Sequence, residues 1–64
     1  MSLSERMLRY RARNGLTQKK LAELMNESSN MIFRAEKEHS LFEVTKIRLE
    51  MKMDNLEAKE NENL

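Results

Sequence analysis

The chain has 64 residues, of which 12 are basic and 11 acidic, so its net charge is only +1. A chain this short forms at most one domain, and without cysteine it builds neither a disulfide nor a thiolate zinc site. The single histidine, His39, is not expected to bind a metal by itself. No segment approaches the roughly 18 apolar residues of a membrane span, and no apolar leader follows the N-terminus, so we expect a cytoplasmic protein.

The charge is distributed unevenly along the chain. Residues 1–20 contain six basic residues and one acid, whereas residues 41–64 contain four basic residues and six acids. This asymmetry predicts a positive surface at one end of the molecule. Proline is absent and strong helix formers dominate, so we predict an all-α fold of four or five helices.

The first helix is predicted to begin after Ser2. Ser2 and Glu5 have the spacing of a capping box, in which each side chain binds a backbone N–H of the other residue. Gly15 ends the helix, because glycine adopts the left-handed backbone at no steric cost. The apolar residues at helical spacing between these signals are Leu3, Met7 and Tyr10.

Two short helices with a tight turn between them are predicted next. Thr17 is a favourable N-cap for the first, and Asn26 tolerates the left-handed backbone that a turn requires. The second begins at Ser28 or Ser29 and continues to about Glu38. The apolar residues of the two inner faces are Leu21, Ala22, Leu24, Met25, Met31, Ile32 and Ala35.

Ser40 and Glu43 repeat the capping-box spacing and predict the start of a fourth helix. This helix either continues to about residue 60 or ends early, in which case Asp54 caps a short fifth helix. In both cases we place the domain at residues 1–56 and interpret residues 57–64 as a polar tail.

The fourth helix is apolar on two sides, and such a helix must bury both. One stripe consists of Leu41, Val44, Ile47 and Met51, and the other of Phe42, Leu49, Met53 and Leu56. The first stripe is expected to face the core. The second is either the interface of a homodimer or a further part of one long core.

The stretch from Thr17 to Lys37 is therefore predicted to be a helix-turn-helix. Packing of the inner faces leaves the third helix projecting outward, and the major groove of DNA is wide enough to admit a helix. The residues at the outward positions are Ser28, Ser29, Asn30, Phe33 and Arg34. Asparagine can bind adenine and arginine can bind guanine through paired hydrogen bonds, and a phenylalanine ring can contact a thymine methyl group.

The same stretch resembles the phage repressor and Cro type (XRE-like) of helix-turn-helix protein. The family pattern has Ser or Thr followed by Gln, then Leu-Ala, a glycine-containing turn, a second Ser or Thr, an isoleucine and finally an acid. The matching residues here are Thr17, Gln18, Leu21, Ala22, Ser28, Ile32 and Glu36. The resemblance extends over about residues 3–56. Three departures are Asn26 in place of the turn glycine, Glu27, where an apolar residue is usual, and Glu38, where a glycine often ends the helix.

The resemblance implies roles for individual residues. Ser28, Ser29, Asn30 and Arg34 occupy base-facing positions of the family. Gln18 would bind phosphate or support the first base-facing side chain, and Arg11 would pair with Glu36 while lying near phosphate. We further expect Lys19, Lys20 and Lys37 to bind the DNA backbone.

These features predict a transcriptional regulator that binds double-stranded DNA as a homodimer at a palindromic operator. No cofactor, metal or small-molecule ligand is expected, and no nucleophile with a neighbouring base indicates an enzyme. Four acids within residues 23–38 repel phosphate. They favour an alternative, a protein-interaction module such as an antirepressor or adaptor that keeps the fold without reading DNA sequence.

Overall fold

The computed structural model describes residues 1–62, which form four α-helices and no strand. The helices are α1 (Leu3–Asn14), α2 (Gln18–Met25), α3 (Ser29–Glu36) and α4 (Glu43–Glu62). The predicted all-α class is confirmed, with the lower of the two expected helix numbers. Within residues 1–62, no helix combines the length and apolar character that crossing a bilayer would require.

Helix α1 begins and ends at its local signals. The Ser2 hydroxyl accepts a hydrogen bond from the Glu5 backbone N–H, and the Glu5 carboxylate accepts one from the Ser2 backbone N–H. The predicted capping box is thus present. At the other end, Gly15 has a φ of 63° and donates its N–H to the carbonyl of Arg11. Glycine suits this position because it has no Cβ to clash in the left-handed region.

Helices α2 and α3 are each capped by a hydroxyl residue. Thr17 Oγ1 accepts a hydrogen bond from the Lys20 backbone N–H at 3.0 Å, and Ser28 Oγ accepts one from the Met31 backbone N–H at 3.1 Å. Asn26 lies in the turn between the helices with a φ of 55°. The caps and the left-handed asparagine fix the connection between α2 and α3 to three residues, 26–28.

Helix α3 ends at Glu36, two residues before the predicted position. Glu38 has a φ of 58°, and the following backbone N–H, that of His39, donates to the carbonyl of Arg34. This is the closing geometry in which glycine is common, adopted here by a glutamate.

Helix α4 begins later than predicted, and at its other end it follows one of the two predicted alternatives, a single helix that continues to about residue 60. It begins at Glu43, and the Lys46 N–H donates to the carbonyl of Phe42, so Ser40 lies too early to cap it. It continues to Glu62, so the predicted domain end at residue 56 falls inside a helix. Residues 57–62 of the predicted tail are therefore helical, and residues 63 and 64 lie outside the described residues.

The last turns of α4 are held against α1 by charged side chains. Arg6 binds both Glu57 and Asp54, the latter at 2.6 Å. Two turns further along α1, Arg13 binds Glu60 at 2.8 Å. The pKa of Glu60 is held below its ordinary value, chiefly by the hydrogen bond from Arg13 and secondly by one from Asn14. These contacts give the acidic end of the chain a structural role that its composition does not reveal.

A single apolar core lies where the four helices meet. Its buried residues are Leu3, Met7, Tyr10, Leu21, Ala22, Met25, Ile32, Ala35, Leu49, Met53 and Leu56. All four helices contribute, and α4 closes the core along one side of its length.

The orientation predicted for α4 is wrong. Leu49, Met53 and Leu56 are buried, so the interpretation of their stripe as part of one long core is correct and they do not form a dimer interface. Phe42, the fourth member of that stripe, is exposed. The stripe expected in the core is instead largely on the surface, with exposed fractions of 76% at Val44, 45% at Ile47 and 61% at Met51.

Candidate nucleic-acid interface

Helix α3 has an inner and an outer face of different chemistry. Ile32, Ala35 and Glu36 are buried against the rest of the protein. The outer residues of the helix and its C-cap are Ser29, Asn30, Phe33, Arg34 and Lys37. At 1.5 Å per residue the eight-residue helix is about 12 Å long. The structure therefore places four of the five predicted base-facing residues on one surface, and the fifth, Ser28, lies exposed at its N-cap.

The Phe33 ring lies near the middle of this outer face and is 41% exposed. It packs edge-on against the His39 ring, with 6.1 Å between the ring centroids. On another side the Lys37 ammonium lies 5.8 Å from the centroid of the Phe33 ring. These two neighbours orient the ring while leaving a substantial part of it open to contact.

Arg34 is half-buried, whereas the other residues of the outer face are exposed. Its Nη2 donates to the carbonyl of Ser40 over 3.4 Å, near the limit for a hydrogen bond. A contact this long is weak, so a stronger acceptor outside the protein can replace it.

Glu36 sits at the centre of a buried polar contact that connects three helices. Its side chain is 4% exposed, and one carboxylate oxygen accepts hydrogen bonds from Arg11 Nη1 at 2.6 Å and from Gln18 Nε2 at 3.0 Å. Arg11 also donates from Nε to the carbonyl of Leu16 at 3.1 Å. Further along, the buried Ser4 hydroxyl donates to the Glu36 carbonyl at 2.7 Å. The structure thus brings together the predicted pair of Arg11 and Glu36 and adds Gln18 to it.

Arg11 and Gln18 are both half-buried because of these bonds. Arg11 was expected to pair with Glu36 while lying near phosphate, and Gln18 to bind phosphate or support a base-facing side chain; in the structure both donate hydrogen bonds within the protein. Their contacts fix the end of α3 relative to α1 and to the start of α2. In this geometry they orient the outer face of α3, which is a supporting role.

Glu27, the main departure from the family pattern, is paired with cations of α4. Its side chain is 8% exposed and accepts two hydrogen bonds from Arg48, at 2.9 and 3.1 Å, and one from Lys52 at 2.6 Å. Burial opposes ionisation of this carboxylate, but the bonds from Lys52 and Arg48 outweigh it and keep its pKa below the ordinary value. Glu27 therefore fastens the turn before α3 to α4.

The sequence did not reveal this contact, because Arg48 and Lys52 have the spacing of an ordinary solvated helix face. One available signal was the pair of cations four residues apart, which lie on the same side of a helix. An acid placed in an otherwise apolar position of the turn is the complementary half of that signal.

The remaining acids near α3 are exposed but lie off its outer face. Glu23 lies on α2, where its carboxylate is 3.6 Å from the ammonium of Lys20. Glu38 follows the end of α3. Lys19 and Lys20 are exposed at the start of α2, and Lys37 is exposed at the C-cap of α3. The outer residues of α3 thus include no carboxylate, and exposed lysines lie at the start of α2 and at the C-cap of α3.

No protein-family model matches the chain, and neither the curated proteins nor the solved structures yield a match to it. The resemblance to the phage repressor and Cro type accordingly rests on the residue pattern of Thr17 to Glu36.

Proposed function

We propose that the chain is a sequence-specific DNA-binding regulator of transcription that acts in the cytoplasm and places α3 in the major groove. The observation that carries the proposal is the outer face of α3. Glu27, in the turn before this helix, and Glu36, its last residue, are turned inward and paired with cations. The side chains around the exposed Phe33 ring are therefore polar or positively charged, which suits phosphate-lined DNA.

The dimensions of this surface fit the groove. An α-helix with its side chains is about 10–12 Å across, which matches a major groove about 12 Å wide, and the outer residues Ser29, Asn30 and Phe33 of α3 are exposed. Asn30 is placed to bind an adenine and Arg34 a guanine, while Ser28 and Ser29 lie at the leading end of the helix. Lys19, Lys20 and Lys37 supply contacts to phosphate on either side.

The test is selection of binding sites from a pool of random duplex DNA, followed by titration of the selected duplex by fluorescence anisotropy. We expect one enriched sequence. Asn30→Ala should weaken binding to it by about 5- to 150-fold, which corresponds to roughly 1–3 kcal/mol. Asn55→Ala is the matched control, because Asn55 is also an exposed helical asparagine but lies on α4.

A second titration separates phosphate contacts from base contacts. The logarithm of the association constant should fall linearly with the logarithm of salt concentration, and Lys19→Gln should reduce the slope by about 0.9. Arg13→Gln should leave the slope unchanged, because Arg13 is already paired with Glu60 of α4. A chain that selects no sequence and binds DNA equally at low and high salt would contradict the proposal.

A second candidate is a protein-interaction module that retains the fold without reading DNA. The observation in its favour is the exposed apolar stripe of α4. In that case the Asn30→Ala and Lys19→Gln variants behave like the wild type, and DNA is not retained even at low salt.

A further inference from the structure

The exposed side of α4 carries a short apolar stripe that the fold does not use. Val44, Ile47 and Met51 are 76%, 45% and 61% exposed, although residues of these types are usually buried. Their spacing of three and four residues places them on one line along the helix, opposite the buried Leu49 and Met53. Three large apolar side chains in a row on an exposed helix indicate a contact surface.

The charges beside the stripe differ between its two edges. Glu43 and Glu50 each precede a stripe residue, Val44 and Met51, and form an acidic edge. Arg48 follows Ile47 and lies on the opposite edge. In the seven-residue pattern of paired helices, the stripe residues occupy the inner positions, and these charged residues occupy the flanking positions that face the other helix.

This arrangement favours a particular partner geometry. When two copies of such a helix pack in parallel about a two-fold axis, the acidic edge of each faces the basic edge of the other. When they pack antiparallel, like edges face each other, so the acids Glu43 and Glu50 of one copy would face the same two acids of the other. We propose that a second copy of this chain covers the stripe, with the two α4 helices parallel and Glu43 of each copy bound to Arg48 of the other.

Arg48 is able to make this contact without giving up its own. It uses Nε and Nη2 to bind Glu27, which leaves Nη1 without a hydrogen-bond partner among residues 1–62. Its side chain is 47% exposed. Asp54 occupies the next inner position and is bound to Arg6, so the apolar contact ends there after about two helical turns. A contact this short produces a weak dimer.

The first experiment measures the oligomeric state of the full chain by sedimentation equilibrium from about 1 µM to about 1 mM, without DNA. We expect a reversible dimer whose association constant falls at least about tenfold in Ile47→Gln. Leu8→Gln is the matched control, since Leu8 is 45% exposed like Ile47 but lies on α1. Circular dichroism shows whether each variant keeps its helices.

The second experiment determines the direction of the helices by cysteine cross-linking, which the absence of native cysteine makes clean. In a parallel dimer residue 51 faces its own copy, so Met51→Cys should form a disulfide-linked dimer under mild oxidation. In an antiparallel dimer centred on the stripe, Met51→Cys would instead cross-link to Val44→Cys when the two variants are mixed. Ser29→Cys, exposed on α3, measures random collision.

A chain that stays monomeric up to about 1 mM would overturn the proposal. So would a dimer unaffected by Ile47→Gln, or one in which only the mixed cysteine variants cross-link. Each of these results is obtained without DNA, so the dimer and the DNA-binding proposal can fail independently.

Discussion

The contact between Glu27 and α4 leads to a quantitative prediction for stability. Replacing Glu27 by glutamine removes the negative charge and leaves Arg48 and Lys52 facing a neutral amide. Breaking a fully buried pair costs about 3–5 kcal/mol, and removing a pair at the surface costs about 0.2–1 kcal/mol. Glu27 is 8% exposed, but its partners are 47% and 30% exposed, so the cost lies between these limits. We expect Glu27→Gln to lower the free energy of unfolding by about 1–2 kcal/mol at pH 7.

For a chain of this size, such a loss lowers Tm by about 5–15 °C. Thermal unfolding followed by circular dichroism measures it directly. The control is Glu23→Gln, which removes a carboxylate of α2 that is 56% exposed and 3.6 Å from Lys20. Its effect should stay within about 0.5 kcal/mol.

The pH dependence provides an independent check. The pKa of Glu27 is lowered in the folded protein from an ordinary value of 4.5, so the unfolded chain takes up the proton first as the pH falls. The stability contributed by this carboxylate is therefore present above pH 4.5 and disappears as the pH falls through its folded-state pKa. The difference between wild type and Glu27→Gln should disappear over the same range. Equal stability at pH 7, or a difference that persists in strong acid, would refute this account of the contact.

Two further substitutions test the fold. Leu49→Ala should lower the free energy of unfolding by about 2–5 kcal/mol, because it leaves a cavity in the core, whereas Ile47→Ala, two residues away on the exposed side, should lower it by less than about 1 kcal/mol in the monomer. Chemical denaturation at low protein concentration compares the two variants, and equal losses would contradict the orientation of α4. Gly15→Ala should cost about 1–2 kcal/mol from backbone strain alone, since an added Cβ meets nothing within 4 Å, and Gly15→Asn should cost less in thermal unfolding.

Local signals allowed much of the fold to be predicted. Ser2 with Glu5, Gly15 and Thr17 each define a helix end through atoms within a few residues of themselves, so sequence alone is sufficient to place them. The outer face of α3 was also predictable, because its periodicity has a single apolar side.

The orientation of helix α4 could not be predicted from such local signals. Its two apolar stripes have similar composition, and only packing against α1 decides which one is buried. Arg6 and Arg13 lie on α1 at positions that meet the acids of α4 when Leu49 and Met53 face inward. Which stripe is buried therefore depends on contacts between residues about 50 positions apart, and a local sequence pattern carries no information on such contacts.

The net charge of +1 conceals how the charges are arranged in space. Residues 1–20 were expected to form a positive surface, yet Arg6, Arg11 and Arg13 are all bound to carboxylates of α3 and α4. Glu36 and the acids near the end of α4 thus neutralise three of the arginines that were expected to attract DNA, while Glu23 and Glu38 stay exposed. The exposed lysines at the start of α2 and the end of α3 remain, beside an outer face of α3 without carboxylates. A nearly neutral chain can in this way present exposed cations together, and their position on α2 and α3 is the reason for proposing that α3 recognises DNA.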